Sequence, residues 1–249
     1  MDTRRILRNR LQCRLCGDII ESRSTHELVH CKCGSCFVDG GRSYVRFGAK
    51  SRDDIVLLTE YEETPVRILN IHGYGGSAEN AAWGALHALG CDIVSPAIDY
   101  DAQTPAEIYS KLRRLVRSEK IGLLTGTSLG GFYASVLAAE LHLPVILVNP
   151  CLCPFLTLPR LGYHGDIQAF FPLFGKLSQL DRDTVSCIIG GRDEVVDTHD
   201  LTRNLMENER FRVIPDGMHS GATLPLLHYF GELMRYYGVK TSRGTGTML

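Results

Sequence analysis

From residue 66 to residue 237 the chain alternates short apolar runs with longer amphipathic ones, and no other feature limits its fold as strongly. Runs of three to six residues bounded by turn formers read as buried strands, and the segments between them carry helical periodicity. The spacing predicts strands over 66–71, 92–95, 122–125, 145–148, 186–189 and 212–214, with helices over 78–89, 105–118, 129–141, 198–206 and 221–237. Strands that alternate with helices pair in parallel, so the expected fold is a doubly wound, mostly parallel α/β sheet over 66–239. Residues 151–181 break the rhythm with Pro154, Phe155, Pro159, Phe170, Phe171 and Phe174. An insertion of that length between two strands is expected to form a short lid whose phenylalanines line an apolar pocket.

Residues 1–50 follow another logic. Five of the nine cysteines fall between Cys13 and Cys36, among polar residues and glycines. Val29, Phe37, Val38, Tyr44 and Val45 are the few candidate strand positions, too few for a segment of this size to fold on burial alone. Residues 51–65, rich in Asp and Glu (Asp53, Asp54, Glu60, Glu62, Glu63), read as a connector in which residues 55–58 could form a short first strand of the larger α/β part. The Gly-, Ser- and Thr-rich residues 240–249 read as a flexible tail.

With a net charge of -1 the chain has no global attraction for nucleic acid or an anionic membrane. It carries no apolar run of membrane-spanning length and no signal-peptide pattern near Met1, so a cytoplasmic location is expected. A chain with a core of its own does not need a disulfide framework, which leaves the clustered cysteines to a metal.

The chemistry-bearing pattern is Gly126-Thr127-Ser128-Leu129-Gly130, a G-x-S-x-G sequence lying directly after an expected strand and before an expected helix. The glycines allow the sharp turn that lifts a serine hydroxyl over the sheet edge. Downstream, Asp193 in Gly191-Arg192-Asp193-Glu194 and His219 in Gly217-Met218-His219 each follow an expected strand, in the order serine, acid, histidine. The expected roles are Ser128 as nucleophile, His219 as base and Asp193 as the acid that orients it, with Glu194 and Asp197 as rivals to Asp193, and His72, His164, His199 and His228 as rivals to His219, which alone follows the last strand behind a glycine turn. The oxyanion donors are expected to be the amides of Leu129 and, in His72-Gly73-Tyr74-Gly75-Gly76, of Tyr74. His72 reads as a structural member of its turn, and Cys151 and Cys153 as lining residues rather than nucleophiles.

Ile71-His72-Gly73, the run from Gly126 to Ala134, Val148-Asn149-Pro150, Gly191 to Val195 and Gly217-Met218-His219 together resemble the small YqiA-type bacterial esterases. The resemblance covers nearly all of residues 66–238. It implies an α/β-hydrolase fold with a modest lid, and esterase or thioesterase activity on a small acyl substrate with no cofactor for catalysis.

Cys13-Arg14-Leu15-Cys16-Gly17 reads as one metal-binding knuckle, and Cys31-Lys32-Cys33-Gly34-Ser35-Cys36 offers three thiols for the two remaining tetrahedral positions. Spacing leaves Cys31 with Cys33, or Cys33 with Cys36, as the second pair; His26 and His30 are weaker candidates. The segment from Cys13 to Tyr44 is similar to small zinc-ribbon proteins encoded by bacteriophages, whose second pair reads Cys-x-Cys-Gly. That resemblance implies a structural Zn2+ on Cys13, Cys16, Cys31 and Cys33, with Cys36 as the alternate ligand, and, for a phage-encoded protein, a host cytoplasmic location. Arg4, Arg5, Arg8, Arg10 and Arg14 flank this ribbon; without interleaved aromatics they read as a solvated basic face. A protein or nucleic-acid partner would bind through the ribbon, and no membrane is expected as a partner. In the alternative reading the ribbon does the work as a binding module and the larger part is its scaffold.

Overall fold

The structure is a computed structural model that describes residues 6–61 and 66–241. It divides into two compact units, 1–64 and 65–249. Arg4, Arg5, Glu62, Glu63 and the tail from residue 242 onward lie outside the described residues.

The first unit is built of short antiparallel strands. β1 (Ile6–Cys13) pairs with β2 (Ile19–Ser22), a second small sheet joins β3 (Val29–His30), β4 (Cys36–Asp39) and β5 (Arg46–Ala49), and β6 (Ile55–Leu57) and β7 (Glu60–Tyr61) pair back onto β1. The connector expected over 51–65 is therefore corrected within its described part. Leu11 opposes Leu57 and Cys13 opposes Ile55, so these residues complete the ribbon's own sheet and add no strand to the second unit. Tyr44 and Val45, read as strand positions, precede β5 in an irregular stretch where Tyr44 instead bonds Asp39 and His26 through its hydroxyl. β1 itself was hidden by its arginines: alternation buries Asn9, Leu11 and Cys13 and leaves Arg8 and Arg10 outward, and a register shift between Ile6 and Arg8 buries Ile6 as well. Those two are not a free basic face, since Arg8 faces Glu21 at 3.5 Å and Arg10 pairs with Glu60.

The second unit carries a six-stranded parallel sheet in the order β13-β12-β11-β10-β8-β9. Its strands are β8 (Arg67–Ile71), β9 (Asp92–Val94), β10 (Ile121–Thr127), β11 (Val145–Val148), β12 (Val185–Gly190) and β13 (Phe211–Ile214). All six fall where the apolar runs predict them. Period-two alternation sends Ile68, Leu123, Ile146 and Ile188 to one face and Leu69, Leu124, Leu147 and Ile189 to the other.

The first face is covered by α1 (Ala81–Ala88) and the C-terminal helix; the second by α2 (Pro105–Ser118), α3 (Leu129–Leu141) and the insertion after β11. α2 begins where Thr104 and Glu107 form a capping box with Pro105 in the first turn, and α1 begins three residues later than expected because Asn80 caps it. α3 is apolar on every side and buried from Leu129 to Ala139, as a helix between sheet and insertion must be.

Two further expectations change. The insertion holds α4 (Pro154–Thr157), α5 (Phe171–Phe174) and several 3-10 turns, and much of it is core: Leu152, Leu158, Phe170, Leu173 and Leu177 are buried. Phe170 packs on Phe132 and Tyr133 of α3 and lines no open pocket, whereas Phe171 is half exposed and meets Phe155 at 4.8 Å. After α6 (His199–Met206) and β13, the last helix α7 (Leu226–Tyr236) starts five residues later than expected. Pro225 interrupts the pattern, leaving residues 221–223 as a separate 3-10 turn.

Candidate active site

Register brings the chemistry to one rim. Ile71 is level with Gly126, Thr127 with Val148, Val148 with Ile188, and Gly190 with Ile214, so five strands end together. The loops leaving them carry Tyr74, Ser128, Asn149, Asp193 and His219. β8 leads outward to β9, then α2 crosses back to β10 and the chain proceeds the other way. The crevice between β8 and β10 is thus the topological switch point, where parallel sheets of this kind bind ligands.

Ser128 sits at φ 53 and ψ -122, a strained backbone that costs about 1–3 kcal/mol and persists only where the surroundings impose it. Here they do. A Cβ on Gly126 would strike the Gly130 carbonyl and Ala134, and one on Gly130 would strike the carbonyls of Ile71 and His72. The elbow is held by Ser128 N–H donating to Val148 O at 3.0 Å, and by Cys151 and Gly131 donating to Ser128 O. Ser128 is 8% exposed. The Leu129 amide opens α3 and has no partner within its own helix.

The Asp193 side chain is buried and faces four donor groups, His219 Nδ1 reaching both oxygens, with Oδ1 at 3.0 Å. His219 Nδ1 lies 2.9 Å from Oδ2, His199 Nε2 2.8 Å from Oδ2, and the amides of Val195 and Val196 donate to Oδ1 at 2.9 and 2.8 Å. Burial pushes the carboxyl up, but the bonds from His199, His219 and the two amides outweigh it and hold it well below the usual carboxylate range. His219, bonded through Nδ1, is left with Nε2 for a reacting group. Among the described residues no hydrogen bond joins it to Ser128 Oγ; such bonds commonly tighten only when substrate is present.

The rivals to Asp193 have other work. Glu194 accepts the His219 amide at 3.0 Å, and Asp197 forms a bidentate pair with Arg160 of the insertion at 2.8 and 2.9 Å. His72 is 2% exposed, its Nε2 accepting from Ile98 N–H, which leaves Nδ1 to donate to Gly73 O at 2.8 Å. Both ring nitrogens are committed, so it holds the turn as its sequence context suggested. Tyr74 follows at the first central position of a turn closed by Gly76 N–H on Gly73 O, and its amide has no acceptor among the described residues. Its hydroxyl donates to Asp101. Cys151 is buried, and that burial pushes its thiol up to about 11, as for a lining residue. A cleft lined by Gln103, Lys111, Arg114, Glu140 and Lys176 includes none of these groups.

Two residues of the site hold roles that the sequence did not assign, His199 having stood there as a rival base to His219 and Asn149 as part of the Val148-Asn149-Pro150 run. His199 opens α6 six positions after Asp193, and nothing in its spacing distinguishes it from a surface histidine. Asn149, fully buried at φ 44, ties three loops together: its Oδ1 accepts Gly190 N–H at 2.7 Å and its Nδ2 donates to the carbonyls of Met218 and His219 at 2.9 and 2.8 Å. Its place between a strand of four apolar residues and Pro150 was the available signal.

In the first unit the sulfurs of Cys13, Cys16, Cys31 and Cys33 lie within 4.8 Å of one another. Four thiolates around a zinc ion at about 2.3 Å would be about 3.8 Å apart. Cys33 Sγ lies 3.7 Å from that of Cys13 and 3.5 Å from that of Cys31, so the donor set fits such an ion in size and chemistry. The turns are those of metal knuckles: Gly17 N–H returns to Cys13 O and Gly34 N–H to Cys31 O, with both glycines at positive φ. Cys36, the alternate ligand and the buried first residue of β4, is not one of the group of four, although its thiol faces those of Cys13 and Cys31. His26 bonds Tyr44 and His30 faces the Phe37 ring, so neither joins the cluster.

The sheet, the elbow and the order of loops are those of the α/β-hydrolase fold. Solved structures agree on the fold. A metagenome-derived lipolytic enzyme, from work on LipS and LipT, is 16% identical with a TM-score of 0.51, over 70% of this chain and 94% of that one. A protein of the alpha/beta hydrolase superfamily from Xanthomonas campestris pv. campestris is 18% identical with a TM-score of 0.50, over 70% of this chain and 99% of that one. MGS-MChE2, an alpha/beta hydrolase enzyme from a sediment metagenome of the Mar Chica lagoon, Morocco, is 12% identical with a TM-score of 0.50, over 71% and 92%. An uncharacterised protein family (UPF0227) matches residues 67–167, a stretch that holds the elbow and Asn149 but neither Asp193 nor His219. A domain of unknown function (DUF7695) matches residues 5–49. Among the described residues no helix is long and apolar enough to cross a membrane.

Proposed function

We propose that this chain is a serine hydrolase that cleaves an acyl ester or thioester through an acyl-enzyme intermediate. The observation that carries the reading is the buried Asp193 carboxylate bonded to His219 Nδ1, on the same rim of strand ends as a serine held at positive φ. Ser128 Oγ attacks the acyl carbon while His219 Nε2 takes its proton, and Asp193 fixes the imidazole tautomer and stabilises the imidazolium. The amides of Leu129 and Tyr74 receive the oxyanion, one donor of this kind being worth about a hundredfold or more in turnover. His219 then returns the proton to the leaving alcohol or thiol, and a water activated by the same ring releases the acid. The lipolytic enzyme among the structural neighbours and the resemblance to YqiA-type esterases support an ester substrate.

A zinc ion would be held by Cys13, Cys16, Cys31 and Cys33. Four protein ligands leave it no open position, so what it supplies is folding energy to a unit that positions the enzyme or meets a protein or nucleic-acid partner.

Hydrolysis of a p-nitrophenyl series from acetate to octanoate, with fluorophosphonate labelling, tests the proposal. The wild type should turn over short esters and take the label; Ser128→Ala should lose both, with kcat falling roughly a million-fold. A folded, zinc-loaded wild type that neither reacts nor labels sinks the hydrolase reading and leaves the ribbon as the working part of a binding protein.

A further inference from the structure

The triad acid has two histidines, and a serine hydrolase mechanism uses one. His199 Nε2 lies 2.8 Å from Asp193 Oδ2, the oxygen that also faces His219 Nδ1 at 2.9 Å. The His199 side chain is 13% exposed and that of Asp193 1%. His199 Nδ1 is buried and has no hydrogen-bond partner among the described residues. A proton on Nδ1 would therefore be buried without an acceptor. Geometry leaves one tautomer: Nε2 carries the proton and donates it to Asp193, and Nδ1 keeps its lone pair.

We infer that His199 is a positioning residue of the active site, a second imidazole donor that fixes the Asp193 carboxylate and limits the negative charge this acid presents to His219. The inference deepens the serine-hydrolase reading and rests on it for its kinetic part. Two amides on Oδ1 anchor one oxygen; without His199, Oδ2 would be held by the moving base alone. During turnover His219 gains and loses a proton beside that oxygen. A carboxylate tied by three other donors keeps its place through both states, so the imidazole returns to the same position each time.

The neighbouring acids leave Asp193 as the acceptor for this donor. Asp197, four residues along the same loop, is engaged by Arg160, and Cys151 beside Asp193 is a buried thiol. Glu194 is taken by the His219 amide. Asp193 is then the one carboxylate bonded to His199 among the described residues.

The test pairs two variants of the full chain. Gln places an amide N–H near the position of Nε2, whereas Leu fills the space with no donor. Expected for His199→Gln is kcat within about fivefold of wild type; for His199→Leu, a fall of about 10- to 100-fold in kcat with KM within about threefold, since the group touches no substrate. Both should retain the wild-type circular dichroism spectrum. In parallel, NMR of 15N-histidine-labelled wild type should show His199 as the Nε2–H tautomer, and in His199→Leu the His219 Nδ1–H resonance should move downfield as Asp193 loses a competing donor.

Equal losses in the two folded variants, or no loss in either, overturn the inference, as does an Nδ1–H tautomer at His199. The NMR readout needs no turnover. A wild type without esterase activity would end the function proposed above while leaving the pairing of His199 with Asp193 to be judged on its own.

Discussion

Asn149 shows how much of this site depends on a residue that performs no chemistry. Its side chain satisfies one amide and two carbonyls at the ends of two other loops, and its own backbone stands one residue beyond the carbonyl that holds Ser128 N–H. Replacing it with alanine leaves those groups unpaired in a buried place, at about 1–3 kcal/mol for each such group, and not additively. Asn149→Ala is expected to lose about 2–4 kcal/mol in urea denaturation and at least tenfold in kcat, the fall appearing in kcat because the triad loops drift apart. An Asn149→Ala enzyme with wild-type stability would show that the three loops hold their places without it. The two elbow glycines are a simpler case, for each faces backbone that leaves no room for a Cβ.

Among the elements, the helices on the active-site face are joined to the insertion by one acid. Glu140 of α3 accepts from Lys176 Nζ of the insertion at 2.6 Å and from Tyr109 and Arg113 of α2. The bonds from Lys176 and Tyr109 outweigh the effect of burial and, with Arg113, draw its pKa down to about 2 from an ordinary value near 4.5. A carboxylate lowered in the folded state adds stability above its unfolded value, and that contribution disappears as pH falls from about 4.5 through about 2. The expected outcome is a lower Tm for Glu140→Gln than for wild type at pH 7, with the two converging as the acid limb is descended. Parallel Tm curves across that range would remove Glu140 from the account of acid sensitivity. The insertion so anchored, and tied again through Arg160 to the loop of Asp193, is a packed part of the fold at these points.

At the scale of the molecule the two units differ in what can hold them together. The second has two apolar layers on either side of its sheet. The first has a buried cluster of Leu11, Ile20, Val38 and Ile55 with Cys13, Cys31 and Cys36, too little apolar area to offset the entropy of ordering more than fifty residues. Metal removal should therefore act on one unit. A strong chelator is expected to expose 6–61 to proteolysis while 66–241 stays protected and retains the proposed ester hydrolysis. Metal analysis should find one zinc per chain, kept in Cys36→Ala and lost in Cys33→Ala. Full protection of the first unit in a metal-free protein would show that its strands suffice.

The sequence alone determined the six strands, the parallel sheet, the elbow and the loops of Asp193 and His219, because each depends on a local pattern: alternating polarity, a helix cap, or glycines around one serine. It also pointed to the knuckle pairs, whose ligands lie within a few residues of each other. Tertiary structure decided which of three thiols gather with Cys13 and Cys16, that 55–57 and 60–61 belong to the ribbon, and that Phe170 is core. It alone brought His199 to Asp193 and set Asn149 among three loops. The physical reason is common to all of these: they are contacts between segments far apart in the chain, or between side chains whose meeting depends on where a helix starts. Such contacts leave no periodic trace in the residues that make them.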